Sequence, residues 1–330
     1  MMQEAAMDPV ASRYRAFDQI NVVGMIGAGS VGKSWTALYL ARGYRVVAAD
    51  PAAGFEDAVR DFVTDAWDAL RRLHPQADDV APLHRLEFAA SPAAAAQQAD
   101  LTQENAPEDP QLKRRLMAEL DEAAPAECLI LSSTGGIGPT TLQAGCRHPE
   151  RIVVAHPFNP PHIIPLVEIV GGAATDPAAV QWTKTFMSRL GKRPIVLRRE
   201  VAGHLANRLQ AALLREAFHC LVEEVASAQE IDDAVRYGLG LRWALMGGLM
   251  TFHLAGGPGG ARHTLDLAAD AYERWWADLG DVHLTAGVRA KIIAGTAQIA
   301  GDRPIGDWIR WRDERLVDLL VQAGAPERAP

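Results

Sequence analysis

The tightest constraint on this chain is a glycine pattern at the end of its first apolar run. Ile20-Asn21-Val22-Val23-Gly24-Met25-Ile26 leads directly into Gly27-Ala28-Gly29-Ser30-Val31-Gly32. A helical stretch follows, Lys33 to Arg42, with apolar Trp35, Leu38, Tyr39 and Leu40, and then a second apolar run, Tyr44 to Ala49, that ends on Asp50. Strand, glycine turn, helix and strand in so short a length make a βαβ unit, the seed of a parallel sheet. Gly27 permits the tight turn, Gly29 lets main chain approach a pyrophosphate, and Gly32 lets the helix pack on the strand. Ser30 and Val31 open the helix, whose N-terminus offers unpaired N–H groups and a partial positive charge to phosphate. Asp50 stands where a carboxylate accepts both ribose hydroxyls and repels a 2′-phosphate. The Pro51-Ala52-Ala53-Gly54 that follows brings no Lys or Arg to hold such a phosphate. The pattern predicts NAD rather than NADP.

The rest of the chain extends this architecture and then leaves it. Arg85 to Ala89, Leu129 to Ser132, Arg151 to Ala155 and Ile195 to Arg198 read as strands. Helical segments intervene at Phe55 to Leu73, Gln111 to Ala124 and Asp176 to Leu190, and Ala93 to Ala96 reads as a helix start after Pro92. Near residue 199 the texture changes. Ala202 to Ala228 carries Leu205, Leu209, Leu213, Leu214, Phe218 and Leu221 at helical spacing, and no convincing strand follows. The predicted fold is α/β, with a mostly parallel sheet domain over 1–198 and an all-α domain over 199–330. The 330 residues suit two domains at about 150 residues each.

Composition removes several classes of function. The 33 Lys and Arg against 41 Asp and Glu leave a net charge of -8, which argues against a nucleic-acid surface. No uninterrupted apolar stretch reaches the ~18 residues of a membrane span. Met1 to Asp18 mixes Glu4, Asp8, Arg13 and Arg15 and reads as no secretory leader. Cys128, Cys146 and Cys220 are scattered and in no CxxC spacing, which suits a reduced, cytoplasmic compartment. No His and Cys cluster has metal-ligand spacing, and His204 with Asn207, read as sharing one helix, supplies too few ligands.

The chemistry is expected in Val153-Val154-Ala155-His156-Pro157-Phe158-Asn159-Pro160-Pro161-His162, followed by the apolar run that holds Glu168. A His directly after a strand lies at the carboxyl edge of the sheet, where doubly wound folds bind ligands. Glu168 can return to orient and charge-stabilise that imidazole. Oxidation of a hydroxyl by hydride transfer needs a base that titrates near neutrality, and a His–Glu pair supplies one. His162 is expected near the same site.

These motifs occur with others in a fixed order: Glu104-Asn105-Ala106-Pro107-Glu108 with Lys113, then Ser132-Ser133-Thr134, and Val201-Ala202-Gly203-His204-Leu205-Ala206-Asn207-Arg208. Together, from about Asn21 to Leu320, they resemble the 3-hydroxyacyl-CoA dehydrogenase family. The resemblance implies a Rossmann-like NAD domain, a helical domain through which a homodimer forms, and interconversion of a 3-hydroxyl and a 3-ketone. By it, His156 is the general base, Glu168 its partner, and Asn207 a polar group near substrate and nicotinamide. Glu108, Lys113 and Asn159 are then contacts on the ribose and nicotinamide side of the cofactor. Without the resemblance, Glu108 and Lys113 read as a solvated pair at a helix start. One departure stands out: the family usually has Ser at the position of Gly135, where it bonds the substrate oxygen. Ser133 or Thr134 is the hydroxyl expected to substitute.

The segment from Tyr237 to Gly257 resembles the branch of the family that acts on small free 3-hydroxy acids such as carnitine and gulonate. Arg242 is expected to clamp a substrate carboxylate. Trp243 and Phe252 are either core residues or part of an aromatic cage for a quaternary ammonium. Two further readings stay open. One is a ketoreductase acting on a 3-keto acid side chain of an aromatic polyketide. The other is a non-catalytic, crystallin-like protein that keeps the NAD fold.

Overall fold

The computed structural model describes residues 13–322, and its sheet grows outward from the βαβ unit. β1 (Val22–Ile26), α1 (Ser30–Ala41) and β2 (Arg45–Ala49) are followed by α2 (Phe55–Leu73), β3 (Leu86–Phe88) and α3 (Pro92–Gln97). β4 (Leu101–Glu104), α4 (Pro110–Ala123), β5 (Leu129–Ser132) and the short α5 (Pro139–Leu142) lead to β6 (Ile152–Pro157). β7 (Leu166–Gly171), α6 (Pro177–Arg189) and β8 (Arg193–Val196) complete the sheet, whose order is β3-β2-β1-β4-β5-β6-β7-β8. All neighbours are parallel except β6 and β7. Residues 1–12, which hold most of the segment read as leaderless, lie outside the described residues.

Strand side chains alternate between two cores, as a period of two requires. Val46 and Ala48, Leu129 and Leu131, and Val153 and Ala155 enter one apolar cluster. Val47 and Ala49, Ile130, and Ile152 and Val154 enter the other. Covering both faces is why these strands read as continuous apolar runs. β4 breaks that rule and was absent from the sequence expectation. Its Thr102, Gln103 and Glu104 are wholly buried, because each finds a polar partner: Cys128, Ser133 and Lys113 respectively.

The described residues divide into two compact units, one of 13–207 with 310–322, the other spanning 208–309. Within the first, α12 (Ile305–Gln322) contributes Asp318, which accepts from Arg72 of α2 at 2.7 Å, and a buried Val317. The second unit is helical throughout. It comprises most of α7 (Ala206–Val222), then α8 (Ala228–Asp233), a π-helical turn (Ala234–Gly240) and α9 (Leu241–Ala255), which breaks at Gly247. α10 (Gly260–Asp278), α11 (Ala286–Ala300) and the start of α12 follow. Among residues 208–309 the only buried ones are Gly256, Gly260, Gly280 and Gly295. No described helix is long and apolar enough to cross a membrane.

Candidate active site

The glycine turn after β1 has the geometry that a dinucleotide requires. Gly27 has φ +86, open to glycine at little cost, and a side chain there would collide with the Asn105 main chain. A Cβ at Gly32 would strike the Gly27 carbonyl. At Gly29, by contrast, a side chain would meet nothing within 4 Å, so that face of the turn is open to an incoming group. α1 starts at Ser30 and Val31, and its N-cap, Gly29, supplies no side-chain acceptor. The first N–H groups of α1 are thus left for an anion, the fit expected of a pyrophosphate. Asp50 braces the turn by accepting from the Ala28 N–H at 2.6 Å, while its other oxygen accepts from Ala52 of its own loop at 2.8 Å.

The antiparallel pairing of β6 with β7 places His156 directly opposite Glu168. Their side chains meet at 2.8 Å, Nδ1 to Oε2, with Glu168 wholly buried. Oε1 of Glu168 accepts from the N–H groups of Leu205 and Ala206, both at 2.9 Å. Burial pushes this carboxyl up, but the bonds from His156, Ala206 and Leu205 outweigh burial and hold it below its ordinary value. An ionised Glu168 accepts the hydrogen bond that Nδ1–H donates, which leaves Nε2 of His156 as the lone-pair nitrogen.

The segment that grips Glu168 also grips the other side of the site. His204 is wholly buried, has φ +48, and bonds the Thr134 carbonyl through Nε2 at 3.0 Å. Its ring lies 5.4 Å from that of His156. Burial keeps it neutral by lowering its pKa, against the opposing effect of the Thr134 bond. Asn207 donates from Nδ2 to the Gly135 carbonyl at 3.1 Å. The expected helix from Ala202 through His204 is corrected here: helix α7 begins at Ala206, after a left-handed residue that no α-helix accommodates. His204 and Asn207 do not share it.

Of the other expected residues, Lys113 is buried, not solvated, and bonds Glu104 at 2.7 Å and the Ala106 carbonyl at 2.9 Å. Glu108 accepts from the Thr134 hydroxyl and from the N–H groups of Gly136 at 2.8 Å and Ile137 at 3.3 Å, so it ties down the loop after β5. The Ser133 hydroxyl has three side-chain partners of its own. It engages Trp35 Nε1 at 3.1 Å, Gln103 Nε2 at 2.9 Å and Asn105 Oδ1 at 2.7 Å. Asn159 is exposed at the end of β6.

His162 is buried and pairs with Ser34 of α1 at 2.8 Å; burial and the charges of Lys192 and Arg312 lower it to about 4. Lys192, missed in the sequence, is also buried and donates to the carbonyls of Pro161 and Ile164, fastening the β6–β7 loop. Burial lowers its ammonium to about 7. Arg242, Trp243 and Phe252 all lie on α9 of the second unit. There Arg242 Nε donates to the Gly238 carbonyl at 3.1 Å, Trp243 flanks Gly248, and Phe252 packs edge-on against Tyr272 at 5.8 Å.

A glycine turn at a helix N-terminus, an acid closing β2, and a carboxylate-oriented imidazole at the carboxyl edge of the sheet define an NAD-dependent dehydrogenase of CH–OH donors. Comparison with known proteins agrees. The profile of the 3-hydroxyacyl-CoA dehydrogenase NAD binding domain matches residues 22–201, and that of the family's C-terminal domain matches residues 203–282. The chain belongs to the 3-hydroxyacyl-CoA dehydrogenase family. It is 42% identical over 312 residues to an L-carnitine dehydrogenase of Nocardiopsis dassonvillei, covering 94% of each chain. It is 43% identical over 304 residues to one of Pseudomonas aeruginosa, covering 92% of this chain and 94% of that one. Among solved structures it resembles 5-formyl-3-hydroxy-2-methylpyridine-4-carboxylic acid 5-dehydrogenase, described as an NAD+-dependent dismutase. That likeness has a TM-score of 0.81 at 27% identity and covers 94% of this chain and all of the other.

Proposed function

We propose that this enzyme interconverts the 3-hydroxyl and 3-ketone of a small free 3-hydroxy acid of the carnitine type. The observation that carries the reading is the His156–Glu168 pair, with its free Nε2 turned toward Gly135 and Asn207. The substrate class rests on the similarity to L-carnitine dehydrogenases over nearly the whole chain. When bound, NAD accepts the hydride that leaves the carbinol carbon. His156 Nε2 takes the hydroxyl proton as the carbonyl forms, and returns it in the reverse reaction. Glu168 keeps Nε2 the acceptor and balances the charge of the imidazolium. Asn207 supports the reacting oxygen.

Gly27, Gly29, Ser30, Val31 and Gly32 hold the pyrophosphate, Asp50 the adenosine ribose, and Glu108, Lys113 and Asn159 the nicotinamide side. In the second unit, Arg242 takes the substrate carboxylate, and Trp243 and Phe252 flank its quaternary ammonium. The enzyme works as a homodimer in the cytoplasm.

The test is NADH absorbance with the purified chain and four substrates: carnitine, gulonate, 3-hydroxybutyrate and 3-hydroxybutyryl-CoA. Carnitine is expected to give the highest kcat/KM, with NAD preferred over NADP. Strong turnover of the CoA thioester beside none of carnitine moves the enzyme to the acyl-CoA branch, and an NADP preference removes the role given to Asp50.

A further inference from the structure

Glu104, the last residue of β4, is wholly buried and accepts from three donors. Its Oε1 takes Lys113 Nζ at 2.7 Å and the Ala106 N–H at 2.6 Å, and its Oε2 takes the Ser132 hydroxyl at 2.5 Å. Lys113, on α4, is buried as well and also donates to the Ala106 carbonyl at 2.9 Å. A second carboxylate stands farther off. Glu108 Oε2 lies 3.9 Å from the same ammonium, beyond a hydrogen bond, on a side chain that is 47% exposed. One ammonium therefore sits between two carboxylates, an inner one that it bonds and an outer one that it does not.

The outer carboxylate has partners of its own. Oε1 of Glu108 accepts from the Thr134 hydroxyl and from the N–H groups of Gly136 and Ile137. It thus holds the loop after β5, whose Thr134 carbonyl takes the His204 ring and whose Gly135 carbonyl takes Asn207. The inner carboxylate reaches the same loop by another route, because the Ser132 hydroxyl that donates to Glu104 accepts from the Thr134 N–H at 3.3 Å. Charge decides which carboxylate the lysine takes. A buried ammonium stripped of its bonded carboxylate is strongly unfavourable. With Glu104 neutralised, the nearest remaining negative charge is Glu108, and closing the 3.9 Å gap would draw it from Thr134, Gly136 and Ile137.

We infer that Glu104 is a positioning residue: by binding Lys113 from inside the fold, it keeps Glu108 free to hold the loop after β5 and the nicotinamide side of the cofactor. This rests on the dehydrogenase reading above and on its assignment of Glu108 and Lys113 to the cofactor. Glu104 itself touches neither substrate nor cofactor. The polar end of β4 then serves the site rather than the core around it.

Glu104→Gln, Lys113→Met and the double variant, each in the full chain, test this by NADH fluorescence titration. Glu104→Gln is expected to weaken NADH about tenfold, the worth of one bond to a charged group. Lys113→Met is expected to weaken NADH in the parent but to cause no further loss on Glu104→Gln, because the lysine that captures Glu108 is then gone. A Glu104 that only supports the fold would lower the urea midpoint of Glu104→Gln and leave its NADH affinity parent-like, which overturns the inference. An equal effect of Lys113→Met in both backgrounds, including none in either, overturns it too. If Glu104→Gln fails to fold, the double variant carries the test, since it leaves no ammonium buried alone. Its NADH affinity is expected within about threefold of Lys113→Met, and a larger further loss rejects the role. If the parent turns over none of the four substrates, the dehydrogenase reading fails by itself, while the NADH comparison still decides on Glu104. A parent that binds no NADH overturns both.

Discussion

Three imidazoles around the site have three different tasks, each set by what surrounds the ring. His156 has a buried carboxylate on Nδ1, His204 a carbonyl on Nε2, and His162 a serine hydroxyl on Nδ1. Only the first leaves a nitrogen turned toward Gly135 and Asn207. His156→Gln is therefore expected to lose about 10²–10⁴ in kcat while NADH affinity, which the proposed function assigns to the glycine turn and Asp50, stays within a few-fold. Near-parental turnover would move the proton transfer to another group. The buried groups also shape acid stability. The folded state depresses His162 from 6.5 to about 4, so the unfolded chain binds the extra proton between those values. The stabilisation from a neutral His162 is complete above pH 6.5 and lost as pH falls toward 4, up to about 3 kcal/mol. Glu168 is depressed as well, so its contribution is present above its ordinary value of 4.5 and lost as pH falls below that. Denaturant titrations from pH 7 to pH 3 are expected to show the upper part of this loss vanish in His162→Asn and the lower part shrink in Glu168→Gln. Curves parallel to the parent's in both variants would assign the acid sensitivity elsewhere.

At the scale of elements, the parts that build the site differ in how visible they are in the sequence. The βαβ unit announces itself because its constraint is local: glycines at fixed spacing after an apolar run. His156 and Glu168 are also legible, since each sits in an apolar run and one pairing register brings them together. β4 is not, because Thr102, Gln103 and Glu104 look like a polar loop until Cys128, Ser133 and Lys113 are brought to them by distant elements. The turn at His204 is hidden for a different reason: apolar spacing continues through it, while its backbone turns left-handed. That turn aims the next two N–H groups at Glu168 and its own ring at Thr134. A β-branched residue suits neither the conformation nor the bond. His204→Val is expected to cost about 3 kcal/mol, and His204→Asn, which tolerates the left-handed region, about 1–2. Urea unfolding checks the order, and equal losses would mean that the ring only fills space.

At the scale of the whole molecule, the second unit poses a question of stability that its own chain does not answer. A helical unit of this size ordinarily buries apolar side chains from each helix. Here the buried residues of 208–309 are four glycines. Large apolar side chains are instead exposed: Leu245 at 83% and Leu249 at 90% on α9, Leu267 at 75% and Trp276 at 62% on α10, and Ile293 at 67% on α11. Such a surface far exceeds what a monomer leaves in water. The proposed homodimer resolves this if the helices of one copy complete the core of the other, so that association and folding of the unit are one event. Interfaces of this obligate kind bury roughly 2,000–5,000 Å² and are more apolar than transient ones. Light scattering at micromolar concentration is then expected to give twice the 35.7 kDa of one chain. The thermal midpoint should rise with protein concentration, because unfolding releases two chains. Leu249→Asp and Trp276→Asp, each placing a charge in that apolar surface, should lower both the dimer fraction and the midpoint together. A 35.7 kDa particle whose midpoint does not depend on concentration would show that the helical unit is stable alone, and the exposed leucines and tryptophans would then need another partner.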